Sequence, residues 1–149
     1  MSPIIPAALV IWLLMQNKDS KNAPLWQQNK NMLNIRYNPA NNWEGQIGEN
    51  KGFVVFSDPA YSIRAGYKIL TSYQKRGINT IRAMIHTFAP PSDNNPTDKY
   101  VWLVSSQTGI DPDQPVGSDV FPAILAAMTK METGQTLAAS LIDRGVALV

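Results

Sequence analysis

The chain has 149 residues, 44% apolar and 16% charged, which is enough hydrophobic side chain for one compact core and too little charge for a disordered acidic or basic tail. Thirteen Lys and Arg against eleven Asp and Glu leave a net charge of +2, not the concentrated positive face that phosphate contacts need, so no nucleic-acid partner is expected. Zero cysteine and a single histidine, His86, exclude a disulfide framework, a thiol nucleophile and a Cys-rich zinc site, and leave catalysis to carboxylates.

The chain opens on an uncharged apolar run, Ile4 to Met15. As a helix it would reach about 18 Å, against about 30 Å for a bilayer's hydrocarbon core. It therefore cannot span a membrane alone. Lys18 and Lys21 follow the run, whereas a secretory signal places its basic residues before it. Residues 1–16 thus read as an anchor, a signal or a docking helix, with residues 17–28 as a polar linker and residues 29–149 as the folded domain.

From Ile35 the pattern is short apolar runs between turn residues: Ile35 to Tyr37, Trp43 to Ile47 and Phe53 to Phe56. This predicts a small antiparallel β-meander. The period then lengthens. Asp58-Pro59 supplies an N-cap and a first-turn proline, and Ile63, Tyr67, Leu70 and Tyr73 share one face until Gly77. Asn79 or Thr80 caps a second helix with Ile81, Met84, Ile85 and Phe88 inward, stopped by Pro90-Pro91; His86 falls among these positions and is expected to be partly buried. Thr97 caps a third helix that ends at Gly109, and Ser118 or Asp119 starts a fourth that ends at Met131-Glu132-Thr133-Gly134. A last helix runs from about Leu137 to Leu148. The fold class is α+β, mostly α-helical, with one small sheet ahead of the helices.

The polar deficit is filled by amides: twelve Asn and eight Gln, with nine of the Asn between Asn17 and Asn50. Amides donate and accept hydrogen bonds without charge, which suits turns and neutral hydroxylated ligands. A cysteine-free chain with so few acids points to glycosidic bonds, whose cleavage needs an acid for the leaving oxygen and little else. Three glutamates exist. Glu49 lies in a polar turn, Glu44 follows Trp43 in the meander, and Glu132 closes a helix, where a carboxylate opposes the macrodipole. That misfit singles out Glu132. Asp93 lies in a Pro-rich polar loop with Ser92 and Asn94, which together suit sugar hydroxyls or a held water.

Several segments in this order carry a resemblance: Asn31 to Tyr37, Asn42-Trp43-Glu44-Gly45-Gln46, Gly52-Phe53 with Phe56, Gly77 to Ile81, Ala89-Pro90-Pro91-Ser92, Tyr100, Gly109-Ile110-Asp111-Pro112 and Met131 to Gly134. From about Asn29 to Val149 the chain resembles a family of bacteriophage virion structural proteins and murein hydrolases with a lysozyme-like fold. That family has Asn-Pro-Gly-Asn or Asn-Pro-Leu-Asn where this chain has Asn31-Met32-Leu33-Asn34, and Ser-Glu-Asn-Asp-Thr where it has Ser92 to Thr97. Lysozyme-like enzymes carry their acid as a Glu at the end of a helix that precedes a small sheet. Here the sheet comes first, so the resemblance implies a circularly permuted lysozyme-like arrangement with Glu132 in the acid position, facing the meander.

The resemblance implies a phage peptidoglycan-degrading glycosidase of the lytic-transglycosylase or muramidase type. Its acid is Glu132, with Glu44 or Asp93 as the fallback second carboxylate. Tyr37, Trp43 and Tyr61 would stack on sugar faces, and Asn34, Asn42, Gln46, Ser92 and Asn94 would bond hydroxyl and acetamido groups. It implies no cofactor and no metal, peptidoglycan glycan strands as the partner, and a virion-associated protein acting in the host periplasm. Residues 4–15 would contact other virion proteins or a membrane. Two alternatives stay open: a non-enzymatic virion component that keeps the fold for assembly, and a murein-binding module without cleavage.

Overall fold

The computed structural model describes residues 22–149, so the apolar run at residues 4–15 and the first part of the expected linker lie outside the described residues. The architecture is α+β and mostly helical. In chain order it comprises α1 (Leu25–Gln28), β1 (Gln46–Asn50), β2 (Phe53–Phe56), α2 (Pro59–Lys75), α3 (Ile81–Phe88), α4 (Thr97–Thr108), α5 (Phe121–Thr133) and α6 (Ala139–Ala147). Single 3-10 turns at Pro91–Asp93 and Ser118–Val120 lead into α4 and α5. Among the described residues, no helix is long and apolar enough to cross a membrane.

The packed fold starts before the expected boundary at residue 29. Trp26 of α1 packs on the core, and the Asn29 carbonyl accepts from the Phe56 N–H at 2.9 Å. The sheet is smaller than a three-strand meander. β1 and β2 pair antiparallel, with a bulge at Ile47 that turns its side chain to solvent. Ile35 to Tyr37 adds one bridge, Arg36 to Phe53, with Val54 N–H donating to Ile35 and Tyr37 N–H to Gly52. The extended run is cut short on both sides: Asn34 is left-handed at φ 48°, and Pro39 has no N–H to donate.

The helices follow their local signals. Asp58 caps α2 by accepting from Ala60 N–H at 2.8 Å, and Thr80 caps α3 by accepting from Ala83 N–H at 3.1 Å. Gly109 and Gly134 close α4 and α5 in the left-handed conformation. Thr97 differs from expectation. It is the first residue of α4 rather than its cap, and its hydroxyl donates to the Ala89 carbonyl at 2.7 Å, tying α4 to the end of α3. His86 also differs. It lies one residue past buried Ile85, which rotates it to the surface, 3.8 Å from Asp98.

Phe56, Ile63, Leu70, Ile81, Met84, Ile85, Phe121, Ile124, Leu125 and Met128 form the centre of a single core where α2, α3 and α5 meet the sheet. α6 lies along α2 at a close crossing. A Cβ on Gly145 would fall 2.3 Å from the Ile63 Cβ and 2.8 Å from the Ala60 carbonyl oxygen. Backbone lies on one side and a β-branched side chain on the other, so neither yields cheaply. Gly145→Ala should therefore lower stability by roughly 1–3 kcal/mol, visible as a fall of about 3–10 °C in the thermal unfolding midpoint. A midpoint unchanged within a degree would contradict this crossing.

Candidate functional site

One large cleft opens between the 34–43 segment, β2, α2, the end of α3 and the last turn of α5, with a volume of about 1020 Å³. Glu132 lines it. α5 delivers this residue because its buried face, Ile124, Leu125 and Met128, is fixed in the core and the helix stops at Gly134. The carboxyl therefore emerges at a rigid helix end.

The misfit of a carboxylate at a helix C-terminus is met by Asn34. Its Nδ2 donates to Glu132 Oε2 at 3.2 Å and to the Glu132 main-chain carbonyl at 3.3 Å, so one amide holds the acid and satisfies a terminal carbonyl. Tyr100 of α4 presents its buried hydroxyl to the same carboxyl. The two lie close enough to perturb each other's titration, although the hydroxyl has no partner in full hydrogen-bond geometry among the described residues. Burial pushes the Glu132 pKa above its ordinary value; the Asn34 hydrogen bond and then the nearby Tyr100 hydroxyl oppose that push without cancelling it. Burial first, and then the neighbouring Glu132 charge, hold the Tyr100 hydroxyl well above the usual tyrosine range. Among the described residues, no Lys, Arg or His forms an ion pair with Glu132. The result is a carboxyl that keeps its proton to higher pH than an ordinary glutamate.

Asn34→Gly tests the tuning. Glycine keeps the left-handed backbone and removes the side chain that carries the donor. The lost hydrogen bond favoured the charged form, so the Glu132 pKa should rise further. Carbon-detected NMR titration of the carboxyl reads the shift directly, and a fall or no change would refute the assignment.

The cleft takes up some of the expected site residues and not others. Tyr37, Trp43, Asn34, Asp93 and Glu132 line it. Glu44 does not: it pairs with Arg64 of α2 at 3.0 Å, its side chain half exposed. Asn42 is exposed outside the cleft. Gln46 spends its side-chain oxygen on the Trp43 N–H at 3.2 Å, shaping the turn that presents Trp43. Tyr61 lies under that same turn, where a Cβ on Gly45 would collide with its ring, and it supports the cleft wall rather than lining it. In the 92–95 loop the alternation is strict: Asp93 and Asn95 line the cleft, while Ser92 and left-handed Asn94 do not.

Several cleft residues were absent from the sequence expectations: Arg36, Asn38, Asn41, Lys68, Ser72, Tyr73 and Asn95 on its walls, and Tyr100 behind Glu132. The Asn38 Oδ1 accepts from Ala40 N–H, and the Asn95 amide donates to the Pro90 carbonyl. Asn38 thus keeps its amide donors, and Asn95 keeps its carbonyl oxygen, for a ligand. Tyr100 carried a readable signal, since a tyrosine among inward positions brings a hydroxyl that needs a partner.

Among the described residues, no group of three His, Asp or Glu comes together as a metal site. No family model matches the chain. Protein P5 of Pseudoalteromonas phage PM2 is 35% identical to it over 112 residues, which cover 72% of this chain and 69% of that one. At that identity and coverage, this chain belongs to the same family as the phage PM2 protein P5.

Proposed function

We propose that the chain is a phage peptidoglycan-degrading glycosidase, carried in the virion, in a permuted lysozyme-like arrangement with Glu132 as its acid. The observation that carries this reading is Glu132 itself. It is a partly buried, proton-retaining carboxyl without an ion-pair partner among the described residues, and it lies in a cleft walled by aromatic rings and amides. In the reaction, the protonated Glu132 donates to the glycosidic oxygen as its bond to the sugar C1 breaks, leaving an oxocarbenium-like sugar and a neutral hydroxyl on the departing strand. The new carboxylate is held by Asn34 and faces Tyr100. It then takes the proton of whichever hydroxyl closes on C1: water in hydrolysis, or the sugar's own C6 hydroxyl in transglycosylation.

Tyr37 and Trp43 offer faces for sugar rings, and Asn38, Asn41 and Asn95 offer neutral hydrogen-bonding groups. Among the described residues, Asp93 is the one other carboxylate on the cleft wall. A phage protein meets murein on entering and on leaving its host, which fits the family.

The test is solubilisation of purified sacculi by the full chain. Release of soluble muropeptides supports the proposal, and mass spectrometry separates anhydromuramyl ends from reducing ends. No release overturns it in favour of a non-enzymatic virion component, a reading to which Trp102 and Ile47, each 68% exposed, would lend apolar contact surface.

A further inference from the structure

Two of the cleft's charged residues are not used by that chemistry. Arg36 comes from the 34–43 segment and Lys68 from α2, so two separate walls each contribute one cation. Neither belongs to an ion pair among the described residues, whereas Arg64, Arg82 and Arg144 each face a carboxylate. The Arg36 guanidinium lies 5.9 Å from the centre of the Phe53 ring, which restrains its direction while leaving its hydrogen-bond donors free. Apart from these two, the charged groups on the cleft wall among the described residues are Asp93 and Glu132. With Glu132 protonated for its role as acid, the cleft holds two positive charges against one negative.

A neutral polysaccharide needs only the rings and the amides. It would gain nothing from a guanidinium and an ammonium and would partly strip both of water. We propose that Arg36 and Lys68 form an anion-reading subsite that selects a glycan bearing carboxylate substituents over a neutral one. This rests on the glycosidase reading and narrows its substrate: the recognised groups are carboxylates projecting from the strand, such as lactyl or peptide-stem carboxyls, rather than the sugar backbone.

The test uses the full-length Glu132→Gln chain, which binds without turnover, and three soluble probes. These are glycan oligomers carrying peptide stems, the same oligomers with their carboxyls methyl-esterified, and neutral N-acetylglucosamine oligomers. Two exposed ion pairs should favour the free-carboxylate probe by about five- to tenfold in Kd, an advantage that shrinks as salt is added. Arg36→Gln with Lys68→Gln should erase that preference while leaving affinity for the neutral oligomer unchanged. Equal affinity for free and esterified probes overturns the subsite and leaves the glycosidase reading standing. So does a double variant that loses neutral and anionic probes alike. Binding of none of the three overturns the glycosidase reading, and the subsite with it.

Discussion

Glu132→Gln is expected to lower the rate of murein solubilisation by about 10²- to 10⁴-fold, the usual contribution of a positioned general acid. The substitution keeps the shape, the side-chain oxygen that accepts from Asn34 Nδ2, and the helix-end contact through the Glu132 carbonyl. It removes the proton that, in the proposed reaction, leaves with the glycosidic oxygen. Glu44→Gln is the matched control: that carboxylate is outside the cleft and paired to Arg64, so solubilisation should stay within about twofold of the unsubstituted rate. A Glu132→Gln chain that keeps its rate would remove this residue from the mechanism.

The same substitution carries a stability consequence of opposite sign. Burial raises the folded-state pKa of Glu132 above its unfolded value, so folding favours the protonated carboxyl. That stabilising contribution is complete below the unfolded pKa and is lost as the pH rises through the folded one. Above the unfolded-state pKa, keeping or losing the proton in this partly desolvated place therefore costs the fold stability, and neutral Gln bears no such cost. Glu132→Gln should raise the thermal midpoint at pH 7, with an advantage that fades below the ordinary glutamate range. Activity should decline across the same upper window, because the acid must be protonated to act. Coincidence of the two pH dependences in the unsubstituted chain would identify one group behind both. A midpoint lowered by Glu132→Gln at neutral pH would contradict the assigned burial.

What the sequence disclosed about this site depended on how far apart the partners are in the chain. The caps at Asp58 and Thr80 and the left-handed glycines after α4 and α5 were legible because each signal and its effect lie within a turn. Glu132 was legible as a local misfit, an acid where the helix dipole disfavours one. Its relief was not, because Asn34 lies 98 residues away. Glu44 looked like a second acid next to a cleft aromatic, and only the crossing of the turn over α2 puts Arg64 beside it. The amides were read as a group, yet they divide. Asn38, Asn41 and Asn95 face the cleft, whereas Asn31 is fully buried and serves the fold. Composition counts residue types, and burial decides which of them a ligand can reach.

Asn31→Ala is expected to be the most destabilising polar substitution in the domain, by roughly 3–5 kcal/mol. The Asn31 amide donates to the Ile35 and Val54 carbonyls at 3.0 Å each, and its oxygen accepts from the Ile35 N–H at 3.0 Å. The Val54 bond joins the 31–37 segment to β2 where continuous strand pairing is missing, and the two Ile35 bonds fix the turn that leads into it. Alanine would lose all three and leave the buried Ile35 N–H bare, without room for bulk water. Asn31→Asp separates hydrogen bonding from volume. It keeps the size and the accepting oxygen but turns a carboxylate toward two carbonyls, so it should be no better than alanine near neutral pH and should recover partly in acid. The site feels the same loss, because Asn34, Arg36 and Tyr37 hang on this segment. Under conditions where circular dichroism still shows a folded chain, Asn31→Ala should also slow murein solubilisation and move the Glu132 titration, since the amide that steadies the acid has lost its anchor. Urea unfolding within about 1 kcal/mol of the unsubstituted chain, with an unmoved Glu132 titration, would mean that the 31–37 segment is held by something other than Asn31.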